Sequence, residues 1–308
     1  MSSVLPAILI AALGQPLHQD APSLTPQSTP PAKAPDAPVP EGSVPPSASE
    51  VSWASSADVA QHRAAREEKF VFFEFTKDEC GNCQRMDSLL YPAADFGALL
   101  ASMVPVKLEL ASSEGREIAQ KYHIDDAPAI LITTANGRLV FLMQGFLNQG
   151  DFFRHVNVDL EKYREFARRI DSQSIVKLSA KEALETGNEL YQRLDPQSAL
   201  SRLKRVLGAP DATVNQQEDA LELKAAVELE LSVPSASRKT IERLLATTKD
   251  PQRRERAEIF RAQIPLAENR PAEALALFRK FQKDHPTSPH IEQVRQLVQR
   301  LEERASKP

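Results

Sequence analysis

Residues Lys69 to Thr76 read Lys-Phe-Val-Phe-Phe-Glu-Phe-Thr, an apolar run of strand length without polar alternation. Such a run has no face to offer to water, so it belongs inside a sheet covered on both sides. Cys80-Gly-Asn-Cys83 follows at once and opens a helix marked by Met86, Leu89 and Leu90. At a helix N-terminus the free N–H groups and the macrodipole favour an anion, so a Cys80 thiolate is stabilised there. One turn on, the Cys83 sulfur can reach Cys80, and the pair can cycle between dithiol and disulfide with little backbone movement. These are the chain's two cysteines, which excludes a disulfide framework and a four-thiolate zinc site. His18, His62, His123, His155, His285 and His290 have no ligand spacing to the pair or to each other, so no metal is expected. A vestigial or structural pair, or a metal half-site, stands as the alternative to redox use.

The surrounding pattern alternates helix and strand. Ser55-Ser56-Ala57-Asp58 starts a helix with Val59, His62 and Ala65 on one face. Pro92 interrupts the helix after the cysteines, and Phe96, Leu99 and Leu100 resume it. Val104 to Leu110 alternates like a half-buried strand, and Glu114 to Tyr122 reads as a short helix. Ala129 to Thr134 is a strand, Asn136-Gly137 a hairpin signal, and Arg138 to Met143 the returning strand. A further helix starts near Gln149. The order predicts an α/β domain over residues 51–158, a mixed sheet flanked by helices.

Either side of this domain the texture changes. Val4 to Leu13 is apolar, too short to span a bilayer but sized like a signal-peptide core. No basic residue precedes Lys33, so the positive region expected before such a core is missing. Residues 1–14 are read as a signal peptide or short apolar leader. Residues 15–50 hold nine prolines between Ala21 and Glu50 and read as a disordered tether. Together they point to export to a periplasmic, secreted or surface-tethered location. Residues 159–308 have almost no strand signal. Ala199-Leu200 with Leu203, Ser237 with Ile241, and Ala274-Leu275 with Phe278 recur 38 and 37 residues apart, the period of a helical solenoid. Formal net charge is -4, so the basic excess of a nucleic-acid binder is absent and no nucleic acid is expected as partner.

The set of motifs in residues 51–158 resembles the thioredoxin family. Beyond the cysteine pair, Glu74 lies six residues before Cys80, where the family has a buried carboxylate that assists proton transfer. Ala127-Pro128 stands where the family places its cis-proline loop opposite the active site. The Asn136-Gly137 hairpin, Gly145 and the Gly150-Asp151-Phe152 helix start match its last hairpin and helix. Trp53 and Met86 resemble a secreted branch related to the C-terminal domain of bacterial disulfide-interchange proteins. The helices beyond resemble tetratricopeptide repeats, with Gly187, Ala199 and Leu203 in the first unit and Ala262, Ala274, Phe278 and Pro286 in the last. Pro265 is expected to kink the first helix of that last unit. A plain helical bundle is the alternative.

The resemblance implies a thiol-disulfide oxidoreductase. Cys80 and Cys83 form the redox-active disulfide, with Cys80 attacking and Cys83 resolving. Glu74 exchanges a proton with Cys83, and Ala127 and Pro128 hold the substrate chain. No cofactor is implied. Disulfide-containing proteins are the substrates, an external protein thiol is the electron donor, and a protein partner docks on the helical repeats. The alternative is a non-catalytic adaptor built on the same two modules. Three departures bear on redox poise. Glu79 and Thr76 replace the family's aromatics, and Gly-Asn replaces Gly-Pro between the cysteines. Asp78 and Glu79 oppose the thiolate, while Lys77 offsets them in part. Glu74 would lose its role if its strand lay at the sheet edge.

Overall fold

The computed structural model of the protein describes residues 51–172 and 174–305; the leader and tether read from the sequence lie outside them. The described residues form two compact units, one of 51–172 with 192–195, the other of 174–191 with 196–305. Among the described residues no helix is long and apolar enough to cross a membrane.

The first unit is a mixed four-stranded sheet with helices on both faces. In chain order it contains α1 (Ala57–Glu67), β1 (Phe70–Thr76), α2 (Gly81–Leu90), α3 (Ala94–Leu100), β2 (Met103–Glu109), α4 (Ser113–Lys121), β3 (Ala129–Thr133), β4 (Leu139–Gln144) and α5 (Gln149–Ser172). The strand order is β2-β1-β3-β4; β1 runs parallel to β2 and antiparallel to β3. The apolar run therefore lies in the interior of the sheet, and Glu74 is not on an edge.

Successive side chains of β1 point to opposite faces. Val71, Phe73 and Phe75 pack with α1 and α4, against Ala57, Ala60, Ala64, Ala119 and Tyr122. Phe72 faces the other way and meets Phe96 of α3 edge-on, while Phe70 meets Tyr163 of α5. Each buried Phe contributes about 1.5–3 kcal/mol of transfer free energy. The buried face of α1 is the alanine face, whereas Val59 is 46% exposed and His62 and Ala65 also face water. This reverses the face expected from the sequence, because alanine at 57, 60 and 64 lets the helix backbone approach the sheet closely. Ser56 caps α1 and Ser112 caps α4, accepting from the N–H of Val59 and Gly115. Gly137, at φ 83, makes the turn between β3 and β4, and the Tyr122 hydroxyl donates to its carbonyl at 2.6 Å.

The unit extends past residue 158, where strand signal ends, because Leu160, Tyr163, Phe166 and Ile170 continue the buried stripe of α5. Segment 192–195 also belongs to it. The Leu139 N–H donates to the Arg193 carbonyl, and Arg138 holds Asp195 at 2.6 Å.

The second unit is all helical: α6 (Ala180–Gln192), α7 (Pro196–Leu207), α8 (Val214–Glu230), α9 (Pro234–Thr247), α10 (Pro251–Ala267), α11 (Pro271–Asp284) and α12 (Ile291–Ala305). Its repeat markers fall on α7, α9 and α11, and Ala199, Leu203, Ile241, Ala274 and Phe278 are fully buried. Gly187 of α6 faces α7 so closely that a Cβ would lie 3.2 Å from that of Arg202. Pro265 sits in the last turn of α10, where the helix runs on to Ala267, so the expected interruption falls at the helix end. Consecutive helices pack as neighbours along the array from α7 to α12.

Candidate redox site

The site lies where β1 hands over to α2. Glu79 adopts φ 51, a left-handed conformation that costs a non-glycine residue about 1 kcal/mol, and this turns the chain from strand into helix. Cys80 then becomes the N-cap of α2, and its sulfur accepts the Cys83 N–H at 3.1 Å. The same geometry places Cys80 where the helix N–H groups and dipole favour a thiolate. Cys80 and Cys83 form a disulfide across a Cα separation of 5.2 Å. Both are buried, at 7% and 5% exposure, and they pack with Ala127 and the half-buried Leu110.

The Ala127–Pro128 bond is cis. The structure thus brings Ala127 to the cysteine pair, although Cys80 and Ala127 are 47 residues apart in sequence, with Pro128 next along the chain. Asp126 accepts from its neighbour Ala127 N–H at 2.8 Å and from Lys77 Nζ at 2.6 Å. This pins the β1–α2 loop to the proline loop. The Lys77 bridge holds the Asp126 carboxyl below its ordinary range, with the Ala127 amide adding to the effect. Lys77 is thereby paired with Asp126 at the surface of the site. The Gly145 N–H donates to the Pro128 carbonyl at 2.8 Å, and the Arg85 guanidinium sits 4.5 Å from the Phe146 ring centre.

Glu74 is 1% exposed. Its register partner on β2 is Lys107, whose Nζ lies 3.1 Å from Oε1 as a charge contact; neither carboxylate oxygen accepts a well-formed hydrogen bond. Burial pushes the Glu74 carboxyl up to about 8, Lys107 pulls against that rise, and Asp87 adds to it. Asp87 stands four residues after Cys83 on α2 and holds the same Lys107 Nζ at 3.2 and 3.4 Å. Trp53 and Tyr91 wall the ammonium, with ring centres at 5.5 and 5.2 Å. Sequence reading singled out Trp53 for other reasons and missed Lys107, Asp87 and Tyr91. The available signal was one basic residue in the β2 run facing one acidic residue in the β1 run.

Cys80, Cys83 and Ala127 thus form one cluster, Pro128 follows Ala127 through the cis bond, and Glu74 is buried in the strand that leads to the cysteines. Among the described residues no group of three or more His, Cys, Asp or Glu side chains is arranged to hold a metal.

Residues 57–157, a third of the chain, match the family described as a thioredoxin-like domain. The chain therefore carries a thioredoxin-like domain followed by a helical region. Two solved structures share the likeness. A thioredoxin from Thermus thermophilus is 20% identical, with a TM-score of 0.30, covering 32% of this chain and 78% of that one. DsbH oxidoreductase is 14% identical, with a TM-score of 0.32, covering 42% of this chain and 95% of that one. No curated protein is matched by the chain.

Proposed function

We propose that the protein is an exported thiol-disulfide oxidoreductase that reduces disulfides of other exported proteins. The observation that carries this reading is the Cys80–Cys83 disulfide at the N-terminus of α2, with Cys80 as the cap and Ala127 packed on the pair. In the dithiol form, the Cys80 thiolate attacks a substrate disulfide. One substrate sulfur leaves as a thiolate and a mixed disulfide forms. Cys83 then loses its proton to Glu74, directly or through water, and attacks Cys80. The second substrate sulfur leaves, the substrate has gained two electrons, and the enzyme is left as the Cys80–Cys83 disulfide. An external protein dithiol restores the reduced pair by the same exchange in reverse.

The proline loop would receive the substrate backbone as an added strand. Because Asp126 already accepts from the Ala127 N–H, a docking strand must displace that side chain to use the amide. The helical unit would dock a protein partner, either the substrate or the electron donor, on a face of its repeated hairpins.

The test is insulin reduction by the full chain, together with Cys83→Ala as a trap. Wild-type protein should reduce insulin with dithiothreitol as donor, Cys80→Ser should be inactive, and Cys83→Ala should accumulate mixed disulfides through Cys80. A wild-type protein no faster than dithiothreitol alone would refute the reading.

A further inference from the structure

One ammonium at this site serves two carboxylates of opposite exposure. Lys107 Nζ lies 3.1 Å from an oxygen of Glu74, whose side chain is 1% exposed. It lies 3.2 Å from an oxygen of Asp87, whose side chain is 41% exposed. Tyr91 and Trp53 stand against the ammonium at cation–π distance, 5.2 and 5.5 Å from their ring centres. A single positive charge does not neutralise both acids. Asp87 faces water and Glu74 does not, so the cost of holding charge away from water falls on Glu74. On the other side of β1 the register partner of Glu74 is Ile130 of β3, an apolar residue.

We infer that Asp87 is a positioning residue that sets the proton affinity of Glu74 by sharing Lys107 with it, and so controls the proton step at Cys83. The inference rests on the oxidoreductase reading for its chemical consequence. In resolving the mixed disulfide, the Cys83 S–H bond breaks and its proton passes to a Glu74 oxygen. The electron pair left on Cys83 Sγ forms the bond to Cys80 Sγ, and the substrate sulfur departs with the pair of the broken bond. Glu74 must be ionised to take that proton and must be able to hold it afterwards. Asp87 favours the holding state. Without its charge, Lys107 belongs to Glu74 alone and the carboxylate form is favoured. Removing Lys107 acts in the opposite direction.

The test is the ionisation of Glu74 itself, followed through its side-chain carboxyl carbon by NMR in the oxidised, full-length protein. Asp87→Asn should move the Glu74 midpoint to lower pH by about one unit, a tenfold loss of proton affinity. Lys107→Met should move it higher, and Asp87→Glu should restore the wild-type midpoint. The acid limb of the pH profile for mixed-disulfide resolution should move with the midpoint in Asp87→Asn and stay put when Glu74→Gln is already present. An unmoved midpoint in Asp87→Asn, or a rate lowered equally at every pH, overturns the inference. A wild-type protein without reductase activity, whose Glu74 midpoint still moves in Asp87→Asn, would sink the oxidoreductase reading while upholding the charge sharing.

Discussion

Replacing Glu74 by Gln should stabilise the protein at neutral pH and should do so only above the acid range. Glu74 is a 1% exposed carboxyl whose pKa stands at about 8 against an ordinary value of 4.5. Below about pH 4.5 the group is protonated in both the folded and the unfolded chain, and its ionisation costs nothing. Between 4.5 and about 8 the unfolded chain releases a proton that the folded chain keeps, so stability falls as pH rises. Above about 8 both states are ionised and the loss is complete. One proton corresponds to about 1.4 kcal/mol per pH unit, which gives a penalty of about 3 kcal/mol at pH 7. Gln has the same length, cannot ionise and escapes that penalty, while Lys107 keeps its contacts with Asp87. The assay is urea unfolding of the oxidised wild type and Glu74→Gln between pH 4 and pH 9. The difference should be near zero at the acid end and rise to a few kcal/mol in favour of the variant. A difference that stays flat across this range would refute the burial argument, as would one that favours the wild type at pH 7.

Three further outcomes follow from the same structure. Cys80 should equilibrate with glutathione near the potential of thioredoxin, about -270 mV, and far from the strong oxidants at about -120 mV, because Asp78 and Glu79 oppose its thiolate while Lys77 is bound to Asp126; thiol alkylation at graded glutathione ratios reads this. Gly115→Ala should cost more than about 2 kcal/mol in denaturant unfolding, since the new Cβ would strike the carbonyl of Glu109 and lie 2.9 Å from Ser112 Oγ, with backbone on one side unable to yield. Thr213→Ala removes one half of a complete capping box at the start of α8 and should cost about 1 kcal/mol, read by thermal or urea unfolding of the full chain.

What could be read from the sequence divides along a physical line. The interior strand, the cysteine-capped helix, the proline loop and the glycine hairpin are local signals, each carried by a few adjacent residues, and all stand in the structure at their expected places. The repeat markers at Ala199, Ser237 and Ala274 were legible for a similar reason: a periodic buried face repeats the same local demand. Face selection in α1 was not legible, because hydrophobicity ranks Val59 above alanine while close approach to a sheet rewards the small residue. Segment 192–195 read as part of a helical run because its bond to Leu139 and its Arg138–Asp195 pair span more than 50 residues. The same distance hid the charges around Glu74. Lys107 becomes its partner only through the parallel register of β1 and β2, and that pairing crosses two helices and their loops. Asp87 looks like any solvent-facing acid on a helix until Lys107 is brought beneath it. On the proposed reading, the residues that exchange bonds sit in a motif, whereas the residues proposed to set their proton affinities are gathered from separate strands and helices. A chain can keep the motif and still be retuned by single substitutions at positions such as 87 and 107, and it is there that differences in working pH among proteins with this cysteine pair should be sought.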